Sequence, residues 1–224
     1  MKSLLLLHGA LGASVQFQQL EEKLNSEFNI YCFDLKNHGS RCNGEPFTIN
    51  DLTDDVLEYI NSHHLDNVSI FGYSMGGYIA LKLAFDHPEK IKQVLTLGTK
   101  LKWTAEIAEK ETAMLQPELM KEKVPKFVEQ LKQLHGKDWD KLVMHTADMM
   151  RNLALQPITS EEIKSLTQPV RLSLGDKDNM VTFDETLEAF RILPHGSLSI
   201  FPDTRHPIEK VSIDRLAFEI KSYF

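Results

Sequence analysis

The chain has 224 residues, 42% hydrophobic and 25% charged, an ordinary globular composition at a length that one core can fill. Its formal charge of -7 disfavours nucleic acid or an anionic membrane as partner, since both ask for a basic surface. The only cysteines, Cys32 and Cys42, have no metal-ligand spacing, which points away from a disulfide scaffold and towards a reducing compartment.

From the start, MKSLLLL offers an apolar run of Leu4 to Leu7 alone, shorter than a signal-peptide core, and it meets His8-Gly9 rather than a cleavage site. No stretch approaches the length of a membrane span, so a cytoplasmic location is expected. Short apolar runs then alternate with amphipathic stretches, which predicts an α/β protein with a buried parallel sheet. Strands are expected at about 3–7, 29–33, 68–72, 92–97, 169–174 and 197–201. Helices should fill roughly 14–25, 51–63, 75–86, 183–193 and 207–222. Between residues 100 and 158 the alternation stops, and the pattern reads as several helices punctuated by Pro117, Pro125, His135-Gly136 and Pro157. That length exceeds an ordinary crossover, so a helical cap is expected at 100–158, inserted into a core domain of 1–99 and 159–224.

Gly72-Tyr73-Ser74-Met75-Gly76 fits G-x-S-x-G, placed after the apolar VSIF and before the helical YIALKLAF. A sharp strand-to-helix turn holds such a serine above the sheet, and glycines on both sides let strand and helix approach closely. The helix N-terminus beside it favours developing negative charge. Ser74 is therefore the expected nucleophile.

In an open parallel sheet the site lies beyond the carboxyl ends of the strands. His63, His64, His87 and His195 precede strands, and His135 and His145 belong to the inserted segment. Of the remaining three, His8 and His38 sit in glycine-containing turns. His206 stands in the loop after the last strand, ahead of Pro207, a good first residue for the terminal helix. It is the expected general base. For its acid partner, Asp176 and Asp178 both follow the fifth strand, and Asp178 is preferred by a modest margin.

Together these residues resemble the α/β-hydrolase fold family over nearly the whole chain. LLHGALGA resembles the oxyanion loop, which would make the Ala10 and Met75 N–H groups the donors to a substrate oxygen. Losing one such donor typically costs ~10²–10³ in rate. Gly175 to Val181 matches the family's G-x-x-D-x-x-V acid loop, strengthening Asp178, and the chain order Ser, Asp, His is the family's order. Two departures stand out. Asn37 and Ser40 interrupt a D-x-x-G-H-G-x-S pattern, and Arg205 rather than glycine precedes His206. The usual opening hairpin is missing, which implies a trimmed, wholly parallel sheet of six strands with a helical cap.

The resemblance implies a carboxylic-ester hydrolase acting on a small or medium acyl substrate, with Ser74, His206 and Asp178 catalytic and no metal or organic cofactor required. The expected partner is a small molecule, the protein being a monomer or homodimer. Two other readings compete: a carbon–carbon-bond enzyme like the menaquinone-pathway lyases, favoured if Arg205, Arg151 or Arg41 neighbours the pocket, and a catalytically silent ligand-binding module. Five methionines of the inserted segment (Met114, Met120, Met144, Met149 and Met150), with Trp103, Phe127 and Trp139, are candidates to line an acyl pocket.

Overall fold

The computed structural model describes residues 1–224. In chain order it places β1 (Lys2–Leu7), α1 (Gln18–Leu24), β2 (Phe28–Cys32), α2 (Ile49–Ser62), β3 (Val68–Tyr73), α3 (Met75–Asp86) and β4 (Ile91–Leu97). Five helices follow without an intervening strand: α4 (Ala105–Thr112), α5 (Pro117–Lys123), α6 (Pro125–His135), α7 (Trp139–Leu153) and α8 (Ser160–Ser165). The chain ends with β5 (Val170–Gly175), α9 (Phe183–Ile192), β6 (Gly196–Phe201) and α10 (Ile213–Tyr223). The six strands form one sheet in the order β2-β1-β3-β4-β5-β6, and every neighbouring pair is parallel. No helix is long and apolar enough to cross a membrane.

Why the strands read as continuous apolar runs is visible at β1. Leu4 and Leu6 point to one face, where Phe17, Leu20 and Leu24 meet Leu216 and Ile220 of α10. Leu5 and Leu7 point to the other, against Val56, Ile60 and Ile79 of α2 and α3. All four leucines are wholly buried, each contributing about 1.5–3 kcal/mol relative to exposure. Helix α3 is apolar on nearly every side because it packs on β3 and β4 and is flanked by α2 and α8.

Helix starts follow local chemistry. Thr48 with Asp51, Thr159 with Glu162, and Thr182 with Glu185 each form a reciprocal capping box at α2, α8 and α9. Helix α8 lies outside the expected helices, although its T-x-x-E start is readable in the sequence. The terminal helix also begins later than expected: Pro207 precedes a 3-10 turn at Ile208–Lys210, and α10 starts only after Ser212, whose hydroxyl accepts the Arg215 N–H. Val211 and Ile208 are buried there, and packing them breaks the helix that Pro207 would otherwise have opened.

Candidate active site

Ser74 sits between β3 and α3 with φ 51° and ψ -115°, a backbone conformation costly for a side-chain-bearing residue. Its surroundings over-determine it. The Ser74 N–H donates to the Leu97 carbonyl at 2.9 Å, and the Ser74 carbonyl accepts from the Gly77 N–H at 3.0 Å and from the Thr99 hydroxyl at 3.0 Å. The turn fits only because helix and strand touch backbone to backbone. A Cβ on Gly76 would lie 2.2 Å from the Leu7 carbonyl oxygen and 2.7 Å from that of His8. Gly76→Ala is therefore expected to destabilise the fold by about 2–3 kcal/mol, since β1 is a central strand that cannot yield cheaply. Urea denaturation measures it, and an unshifted midpoint would show that the strand gives way.

His206 is reached from the other side of the sheet edge. With the proton on Nδ1 its ring donates to Asp178 Oδ2 at 2.7 Å, leaving Nε2 to accept the Ser74 hydroxyl at 3.2 Å. The His206 ring is 8% exposed and the Asp178 side chain 2%. Asp178 Oδ1 accepts the N–H groups of Met180 and Val181, each at 2.9 Å, so the carboxylate is oriented from both ends. Two zipped loops carry the pair: Lys177 N–H donates to the Thr204 carbonyl, and Asp176 accepts the Thr204 N–H. The choice between the two aspartates thus resolves physically. Asp178 faces the histidine and Asp176 fastens the loop that bears it. Asp203 instead pairs with Lys177. Tyr73 adds a hydroxyl donated to the His206 carbonyl at 2.9 Å.

Ala10 and Met75 both line the cavity over Ser74. Neither N–H donates to another backbone group, and that of Met75 is one of the orphan donors at the start of α3. The loop carrying Ala10 is tight, closed by the Gly12 N–H to the Gly9 carbonyl at 3.1 Å, with Leu11 at φ 58°.

The cavity is a narrow one, with a volume of about 40 Å³. Its walls are mostly hydrophobic: Met149, Met150 and Leu153 from α7, Trp103 ahead of α4, Tyr78 from α3, and Met180 and Val181 beside the acid. Two of the five methionines singled out from sequence therefore reach it, along with Trp103. Met120 and Trp139 are buried elsewhere, while Met114, Met144 and Phe127 are exposed. None of the three arginines considered lines it. Arg41 pairs with Asp55, Arg151 with Glu109 and Asp148, and Arg205 is exposed. No group of three or more His, Cys, Asp or Glu side chains has the placement to hold a metal ion.

The sequence gives no warning of a buried trio of histidines beside this site. His8, His38 and His135 lie with ring centroids 5.2 Å and 6.2 Å apart along the row, and each is nearly inaccessible. His8 accepts the Leu35 N–H at Nε2 and donates from Nδ1 to the Gly9 carbonyl. His135, from α6, accepts the Gly39 N–H at Nδ1 and donates from Nε2 to the Leu11 carbonyl. His38 donates from Nδ1 to the Lys36 carbonyl, and its Nε2 has no partner. Burial pushes the His8 imidazolium down to about 4 and lowers the other two. The trio ties the Ala10 loop to the loop after β2 and to α6. His135 looked remote in sequence because only tertiary contact brings α6 there.

The departures near Asp34 also find reasons. Asn37 adopts φ 61°, a region asparagine tolerates in place of glycine, and its side-chain oxygen accepts the N–H groups of Asn43 and Gly44. Ser40 donates through its N–H and its hydroxyl to Asp34, as does Ser14. Burial would raise the Asp34 carboxyl, but these four hydrogen bonds outweigh it and hold it at about 2.

Comparison with known proteins bears on the fold. The family model of the alpha/beta hydrolase fold matches residues 2–194. Ethanol acetyltransferase 1 of Kluyveromyces marxianus is 33% identical over 85 residues, 37% of this chain and 23% of that protein. The enzyme of the same name from Cyberlindnera fabianii is 29% identical over 94 residues, 41% of this chain and 28% of its own. The chain thus spans about a quarter of the length of these curated relatives. Among solved structures, a thermophilic esterase from Thermogutta terrifontis superposes with TM-score 0.78 at 20% identity, covering 100% of this chain and 89% of that one. The enol-lactonase of Burkholderia xenovorans LB400 gives 0.81 at 17% identity, covering 99% and 90%. With a family model matching most of its length and the same six-stranded parallel sheet carrying a serine at the β3–α3 turn, this chain belongs to the α/β-hydrolase fold family.

Proposed function

We propose that the protein is a serine hydrolase that cleaves a small or medium carboxylic ester through an acyl-enzyme. The observation that carries this reading is the unbroken hydrogen-bonded series from Asp178 through His206 to Ser74, opening into an apolar cavity. His206 Nε2 takes the Ser74 proton as Oγ attacks the ester carbonyl, and the Ala10 and Met75 N–H groups receive the oxyanion. The proton passes to the departing alkoxide, releasing the alcohol and leaving an acyl-Ser74 ester. Water, deprotonated by the same histidine, then attacks that ester and the acid leaves, restoring the serine. The helices between β4 and β5 act as a cap, α7 forming the roof of the acyl pocket.

A second outcome for the acyl-enzyme is its capture by an alcohol instead of water. The largely hydrophobic cavity wall supports it, as does the likeness to proteins named ethanol acetyltransferases. The lyase reading would need an uncommitted cation for an anionic substrate, and the one that lines the cavity, Lys100, is paired with Glu185.

A fluorophosphonate probe read by intact mass tests the proposal. One adduct is expected on the parent protein and none on Ser74→Ala. A folded parent that takes no adduct would sink the reading. Adding ethanol to the ester assay then partitions the second step, and ethyl ester product would mark acyl transfer.

A further inference from the structure

Two charged side chains line the cavity, Lys100 and Glu111. Lys100, just beyond β4, is committed elsewhere: its ammonium donates to Glu185 Oε2 at 3.2 Å. Glu185 is fixed in turn by the α9 cap, where the same oxygen accepts from the Thr182 N–H and hydroxyl, each at 3.1 Å. Glu111, on α4, has Lys100 only at 3.8 Å, beyond hydrogen-bond reach, and no N–H or O–H of the protein donates to it. Its side chain is nonetheless only 10% exposed, Lys100's 12% and Glu185's 6%. A carboxylate largely shielded from water and without a hydrogen-bond donor from the protein gains from a ligand that brings one. One ammonium against two carboxylates also leaves a formal negative charge at this end of the wall.

We propose that Glu111 is a specificity-determining residue that accepts a hydrogen bond from a hydroxyl or ammonium group on the substrate, and that the site turns carboxylate-bearing substrates away. The preferred substrate is an ester with an aliphatic body and one such donor. The inference rests on the reading of Ser74 as nucleophile only for where the reacting ester lies.

Competitive inhibition of aryl acetate turnover by a six-carbon alcohol series tests it: 1-hexanol, 1,6-hexanediol, 6-amino-1-hexanol, 6-hydroxyhexanoate, and the trimethylammonium analogue of the amine. The diol and amino alcohol are expected to bind about tenfold or more tighter than hexanol, and the carboxylate weakest, because hydrogen bonds to a buried charge are strong. Glu111→Leu should erase or reverse that preference while hexanol still binds, and Glu111→Gln, which keeps an acceptor of the same shape, should retain part of it for the diol. Equal inhibition by all in the parent, or a preference unchanged in Glu111→Leu, overturns the proposal. Tighter binding of the trimethylammonium compound than of the amine overturns it too, since that would make charge alone the determinant. If no ester is turned over and Ser74 takes no fluorophosphonate, the hydrolase reading fails by itself. Calorimetric titration of the same compounds into the same variants then decides Glu111 separately.

Discussion

Ester turnover is expected to fall about 10⁶-fold in Ser74→Ala and about 10⁴-fold in Asp178→Asn, with both proteins folded. The second value follows from geometry at Asp178. One carboxylate oxygen accepts the Met180 and Val181 N–H groups, while the other faces His206 Nδ1. An asparagine must keep its oxygen towards the two backbone donors, so its NH₂ turns towards the ring. The imidazole is then driven to carry its proton on Nε2, where it can no longer accept from Ser74. Measuring kcat and KM on an aryl ester separates this from a packing defect: kcat should collapse while KM changes little. A comparable loss in KM, or a fall in denaturation midpoint that tracks the loss of rate, would count against the tautomer argument.

Acid should unfold this protein through its buried histidines. In the folded state His8 titrates at about 4 against an ordinary value of 6.5, and His38 and His135 are displaced in the same direction. Between those limits the unfolded chain binds protons that the native state refuses. The stability contributed by keeping these rings neutral is therefore complete above about pH 6.5 and lost as pH falls. Each histidine contributes up to about 1.4 kcal/mol per pH unit in that window, and His8 alone roughly 3 kcal/mol by pH 4. The geometry explains the refusal: the unprotonated nitrogens of His8 and His135 already receive backbone N–H groups, so a new proton would meet a donor. Asp34 is the carboxylate facing the trio, and its attraction opposes the shift without cancelling it. Its own depressed value adds a separate loss at lower pH, as it is protonated towards 2. Urea midpoints from pH 8 to 4.5 should drop steeply below 6.5, and His135→Asn should flatten the slope by up to one proton. Parallel curves for parent and variant would remove His135 from the account.

Much of the site was legible because its signals are local or topological. Leu4 to Leu7 and the other apolar runs mark strands buried on both faces. G-x-S-x-G between a strand and a helix marks a turn that only small residues allow, as the Leu7 contact at Gly76 bears out. Knowing which edge of a parallel sheet each loop occupies narrowed the nine histidines to three, His206 among them, and drew attention to the two aspartates that follow the fifth strand.

What no local pattern carries is the partner that a side chain meets across the fold. Asp176 and Asp178 stand two residues apart in one loop, and only the pairing of that loop with Thr204 tells the strut from the histidine's partner. His8, His38 and His135 come from three elements, and their neutral state is set by backbone groups far away in sequence. Glu111 and Lys100 look like any surface pair until α4 is folded over the cavity. Sequence alone determined the sheet, the serine turn and the edge on which the candidate site lies, because apolar periodicity and glycine act within a few residues. Tertiary structure alone decided which ionisable groups are buried and what each faces, because desolvation and hydrogen-bond direction depend on atoms that the chain brings together only by folding.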